Sequence, residues 1–102
     1  MTSNEIRQII KEELKSEPDI QNVFGLDLTE RLIEPSIQKY WDTAGKGSSK
    51  NLWTVLEETP YKNGYVIYFD EEIKIFGLGL QSQNELFNIG TYETFLKALY
   101  SM

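Results

Sequence analysis

The side chains best placed to do chemistry in this chain are five carboxylates in its second half: Glu57 and Glu58, then Asp70, Glu71 and Glu72. Two carboxylates make an acid–base site only when they stand a few ångströms apart in environments that split their pKa values. Nothing else in the chain offers a ready mechanism. It has no His and no Cys, so a Ser–His or Cys–His nucleophile and a His- or thiolate-held metal are all excluded. A cation loop built from Asp42, Asp70, Glu71 and Glu72 lacks the D-x-[DN]-x-[DN]-G spacing that calcium loops need. The string Gly45-Lys46-Gly47-Ser48 lacks the spacing of a phosphate loop, and a strand pattern follows it rather than a helix. No metal and no cofactor is implied.

The elements that must position the carboxylates are legible in the same half. Leu52 to Glu58 reads as a strand, and Pro60-Tyr61-Lys62-Asn63-Gly64 as a turn on its Asn-Gly pair. Tyr65 to Phe69 is apolar on both faces, which predicts a central strand covered on each side. Asp70-Glu71-Glu72 makes the next turn. Ile73 to Leu80 forms a third strand, with Gly77 and Gly79 marking a bulge or a close approach of other backbone. The expected strands span about 51–58, 64–70 and 73–80 as an antiparallel meander. In that arrangement Glu57 and Glu58 lie toward one end and Asp70 to Glu72 toward the other, so the carboxylates form two patches and not one paired site.

Helices are expected at both termini. Thr2 and Glu5 form a T-x-x-E capping box, and Ile6, Ile9, Ile10 and Leu14 follow on one stripe. That helix spans about 3–16 and stops before Pro18. A second helix spans about 92–101, with Thr91 as its N-cap and Tyr92, Phe95, Leu96 and Leu99 on its apolar face. Residues 19–42 are compatible with strand or helical turn. The alternation of Ile37, Lys39 and Trp41 favours a short additional strand there, and residues 42–51 read as a Gly- and Ser-rich loop. The expected fold is α+β: a single domain over 1–102, with a small, mainly antiparallel sheet packed by N- and C-terminal helices.

Charge and aromatics decide between function classes. Sixteen acidic and ten basic side chains give a net charge of −6, which opposes binding to nucleic acid or to an anionic membrane surface and favours a basic partner. No run approaches the roughly 20 apolar residues of a membrane span. The N-terminal segment is interrupted by charges, unlike a secretory signal, so a cytoplasmic protein is expected. Tyr40, Trp41, Trp53, Tyr61, Tyr65 and Tyr68 supply core packing or binding anchors. Trp53 lies on the strand face opposite Leu52, Thr54 and Leu56, so its role depends on which face is buried.

The segments Leu52-Trp53-Thr54-Val55-Leu56-Glu57-Glu58-Thr59-Pro60, Gly64-Tyr65-Val66-Ile67-Tyr68-Phe69-Asp70-Glu71 and Phe76-Gly77-Leu78-Gly79 resemble small bacterial proteins encoded beside secreted polymorphic or contact-dependent-inhibition toxins. The closing Tyr92-Glu93-Thr94-Phe95-Leu96-Lys97-Ala98-Leu99 is similar to them as well. These are immunity proteins, acidic α+β domains that bind a cognate toxin domain, often a nuclease. The resemblance spans residues 52–99, about half the chain. It implies inhibition by occlusion, with no catalytic residue. The residues expected to meet the toxin are Glu57, Glu58, Asp70, Glu71, Glu72, Trp53 and Tyr61. Two alternatives stand beside it: a homo-oligomeric adaptor, or weak homodimer, using an apolar sheet face, and a carboxylate-based hydrolase or small-ligand binder.

Overall fold

A computed structural model of the protein describes residues 1–17, 22–23, 26–27, 31–42 and 47–102. The first helix, α1 (Ser3–Lys15), begins as its capping box dictates. The Thr2 hydroxyl accepts the Glu5 N–H and the Glu5 carboxylate accepts the Thr2 N–H. Ile6 and Ile10 are the buried part of its stripe. It ends on Ser16 as C-cap; Pro18 lies outside the described residues. Two short strands, β1 (Asn22–Val23) and β2 (Leu26–Asp27), then pair antiparallel with each other. Of residues 19–42, compatible from the sequence with strand or helical turn, 22–23, 26–27 and 32–41 are strand, and 19–21, 24–25 and 28–30 lie outside the described residues.

Five strands build the domain: β3 (Leu32–Trp41), β4 (Ser49–Glu57), β5 (Gly64–Asp70), β6 (Ile75–Ser82) and β7 (Glu85–Thr91). Neighbours along the chain pair antiparallel, and β7 pairs with β3 to close a barrel. A meander of five strands brings the last one back parallel to the first. The closing pair is accordingly parallel and short, with Tyr40 opposite Leu86 and Trp41 opposite Phe87. The three-stranded meander expected from the sequence is β4–β5–β6 of this barrel. The additional strand exists and is longer than the alternation suggested, and β7 is a strand the sequence reading lacked. Of the expected 42–51 loop, residues 49–51 belong to β4, and 43–46, including the Gly45–Lys46 pair, lie outside the described residues.

The barrel has two apolar layers. Tyr40, Leu52, Val66, Tyr68 and Leu86 fill the interior. Outside, Val55, Leu56, Ile67, Phe69, Phe76 and Leu78 pack against Ile6 and Ile10 of α1 and against Phe95, Ala98 and Leu99 of the C-terminal helix α2 (Phe95–Tyr100). Strand β5 thus has apolar side chains on both faces, as its composition predicted. A register shift between Thr54 and Leu56 turns Leu56 outward with Trp53, not inward with Thr54 as a regular strand would place it.

Helix α2 starts later than expected. Thr91 closes β7, and Thr94 is the N-cap, its hydroxyl accepting the Lys97 N–H at 3.2 Å. Between them, Tyr92 and Glu93 bond to both backbone groups of Phe76, and Glu93 turns the chain through a left-handed conformation, φ 53°. The Glu13 carboxylate of α1 completes the start of α2 by accepting the N–H groups of Phe95 and Leu96, each at 3.1 Å. Both satisfy donors that no helical carbonyl can reach.

Candidate partner-binding surface

The β4–β5 hairpin carries Glu57, Glu58 and Tyr61. Glu57 points toward the barrel's end and is nearly buried. Lys62 Nζ bonds both of its carboxylate oxygens, at 2.8 and 3.1 Å. The Glu58 carboxylate accepts the Tyr65 N–H at 3.0 Å, while its own N–H donates to the Tyr65 carbonyl. Gly64 makes this possible. Its φ of +138° suits glycine alone, and a Cβ there would come within 2.6 Å of Glu58 Oε1. The Thr59 hydroxyl ties the loop across to Asn63 at 2.9 Å and accepts the Tyr61 N–H at 3.3 Å. Tyr61 itself stands clear of this scaffold, 81% exposed.

At the opposite end, Asp70 is buried against Lys50, with Nζ to Oδ2 at 2.6 Å, and its Oδ1 accepts the Glu72 N–H. Glu72 also reaches Lys50, at 3.4 Å, but from solvent. Both carboxylates hold the Lys50 ammonium above its ordinary pKa, chiefly through the Asp70 hydrogen bond. Glu71 accepts the Trp53 indole N–H at 3.2 Å, and that bond is the first cause of its carboxyl lying below the usual range. Trp53 is half-buried and packs on the outer core.

The seven residues singled out from the sequence therefore divide. Glu57, Glu58 and Tyr61 share one end of the barrel; Asp70, Glu71, Glu72 and Trp53 share the other. Strand β5 separates them by about 20 Å at roughly 3.4 Å per residue. Asp70 and Glu57, the two buried carboxylates among the described residues, sit at opposite ends and each faces a lysine.

A third feature, unseen in the sequence, lies on the barrel's outer wall. Tyr65 pairs with Leu80, Leu80 with Phe87 and Phe87 with Trp41, so four strands present one in-register apolar row. Tyr65 and Leu80 are exposed and Phe87 and Trp41 half-buried, and Ile89 adds a further exposed side chain on β7. Lys39 lies over the Trp41 ring at 4.5 Å. The row became visible only with β7. That strand hides in the sequence because it lacks a glycine turn: Gln83 and Asn84, both at positive φ, make the two-residue β6–β7 connection.

Elsewhere, a groove of about 450 Å³ runs between α1 and β3 over Ile10, Leu14, Leu32 and Pro35. Its rim carries Arg7, which is paired with Glu34. Among the described residues no helix is long and apolar enough to cross a membrane. No family model, curated protein or solved structure matches the chain.

Proposed function

We propose that the chain is an immunity-type inhibitor that binds a toxin domain, in the first instance a nuclease, in the cytoplasm and neutralises it by covering its active site. The observation that carries this reading is the solid interior of the barrel. The rings of Tyr40 and Tyr68, 5.2 Å apart, occupy it together with Leu52, Val66 and Leu86. An up-and-down barrel that binds a small ligand keeps that space open; this one has filled it, leaving the outer surface as the place for recognition. The buried carboxylates are engaged in ion pairs with Lys50 and Lys62, an arrangement suited to holding turns rather than to proton transfer. A net charge of −6 complements a nuclease that must bind phosphates. The resemblance of residues 52–99 to immunity proteins points the same way.

Co-expression with the toxin domain encoded beside the gene tests the reading. Rescue of growth together with a stable 1:1 complex is expected. Toxicity that persists, with no complex on gel filtration, would remove the proposal.

A further inference from the structure

Resting on that reading, we propose that the partner docks on the end of the barrel that carries the β4–β5 hairpin. Tyr61 is the projecting anchor, Tyr65, Leu80 and Phe87 form the apolar floor, and the surface that covers them is a cationic face of a protein. Three observations converge there.

The first is apolar exposure with a defined boundary. Along β5 and β6, the outward pairs Phe69–Phe76 and Ile67–Leu78 lie within the core beneath the helices. The next outward pair, Tyr65–Leu80, is exposed, and the row continues onto Phe87. A contiguous apolar patch with a polar rim is the usual mark of a protein-binding site.

The second is preorganisation. Tyr61 belongs to a loop whose neighbours are all tied down: Glu58 to Tyr65, Thr59 to Asn63, Lys62 to Glu57. Its aromatic ring contributes large contact area, and the loop around it has little freedom left to lose on binding.

The third is charge. The carboxylates of Glu57 and Glu58 stand at this end, where the Lys62 ammonium pairs with Glu57. At the other end, Lys50 and Lys74 flank the carboxylates of the β5–β6 turn, beside the exposed Ile73. Two copies meeting through the hairpin end would bring like charges together, each chain carrying −6. A cationic partner gains from the same field.

The test uses the toxin domain encoded by the adjoining gene, purified with its catalytic residue replaced, and measures binding by calorimetry. Tyr61→Ala and Leu80→Ser should each weaken binding about tenfold or more, the range for interface anchors. Glu72→Gln, at the far end, should leave it within about twofold, as energetically neutral surface does. Tyr61 is almost wholly exposed, so its variant has no reason to unfold. If wild type binds while Tyr61→Ala and Leu80→Ser bind equally well, the docking surface is wrong and the inhibitor reading survives. If wild type does not bind, both fall. If light scattering shows a dimer that Leu80→Ser dissolves, a second copy covers the row and the proposal is overturned.

Discussion

The ring of Tyr68 stands where a side chain on Gly77 would be: a Cβ at that position would overlap the phenol and lie 2.7 Å from the Gly90 carbonyl. Tyr40 holds the same relation to Gly79, where a Cβ would come within 2.9 Å of its ring. The glycines are the cavity into which the barrel's two interior tyrosines fit. Gly77→Ala should therefore cost about 3 kcal/mol by overpacking. In combination with Tyr68→Leu, the loss should be less than additive by about 1 kcal/mol, because the residues compete for one space. Urea unfolding of the single and double variants measures both quantities.

The same two phenols predict the protein's response to alkali. Burial is the first cause of the raised pKa in each; Tyr68 is pushed up to about 12 and Tyr40 is also raised. The folded values exceed the ordinary value of 10.0, so the folded state prefers the neutral phenol. That contribution is complete below pH 10 and is lost as pH rises through the folded pKa. Thermal melts should show falling stability from about pH 10 to 12, with Tyr68→Phe flattening the decline. A melting temperature unchanged across that window would contradict the assignment.

Glu13 ties the two ends of the chain together. Its carboxylate serves the first N–H groups of α2 from the last turn of α1. Glu13→Ala should cost about 1–2 kcal/mol, the scale of a lost helix cap. Hydrogen exchange should quicken in α2 before it does in the barrel, which can be read residue by residue by NMR.

The Glu57–Lys62 pair gives a separate test at the hairpin. Lys62→Met leaves a nearly buried carboxylate without its cation and should destabilise by about 1–2 kcal/mol, since one partner's removal strands the other. Adding Glu57→Gln should recover part of that loss. A double-mutant cycle in chemical denaturation isolates the coupling.

How far the sequence could be read follows from the range of the forces involved. Helix α1 was legible because its capping box and Ile stripe are local. Strand β5 was legible because Val66 to Phe69 are apolar on both faces. The division of the carboxylates into two groups followed from strand direction alone. Three things were not legible. Strand β7 places Asn88 toward the interior, where the Tyr68 hydroxyl bonds its side chain at 2.8 Å, and a register shift against β6 turns Gly90 outward opposite Leu78; a polar interior residue and a register shift break the alternation that marks a strand. The start of α2 shifted from Thr91 to Thr94 because backbone bonds to Phe76 hold residues 92–93 on the sheet. Barrel closure depends on Tyr40–Leu86 and Trp41–Phe87, contacts that no local pattern encodes. The apolar row depends on closure in turn, so of the proposed docking surface Glu57, Glu58, Tyr61 and Tyr65 stood out beforehand, and Leu80 and Phe87 did not.

The central claim is inhibition by occlusion, and a titration of toxin activity against this protein tests it most directly. With the toxin domain at fixed concentration, its activity should fall linearly with added protein and vanish at one equivalent, and Tyr61→Ala should shift the end point to higher concentration. Full toxin activity in a tenfold molar excess of the folded wild-type protein would contradict the claim.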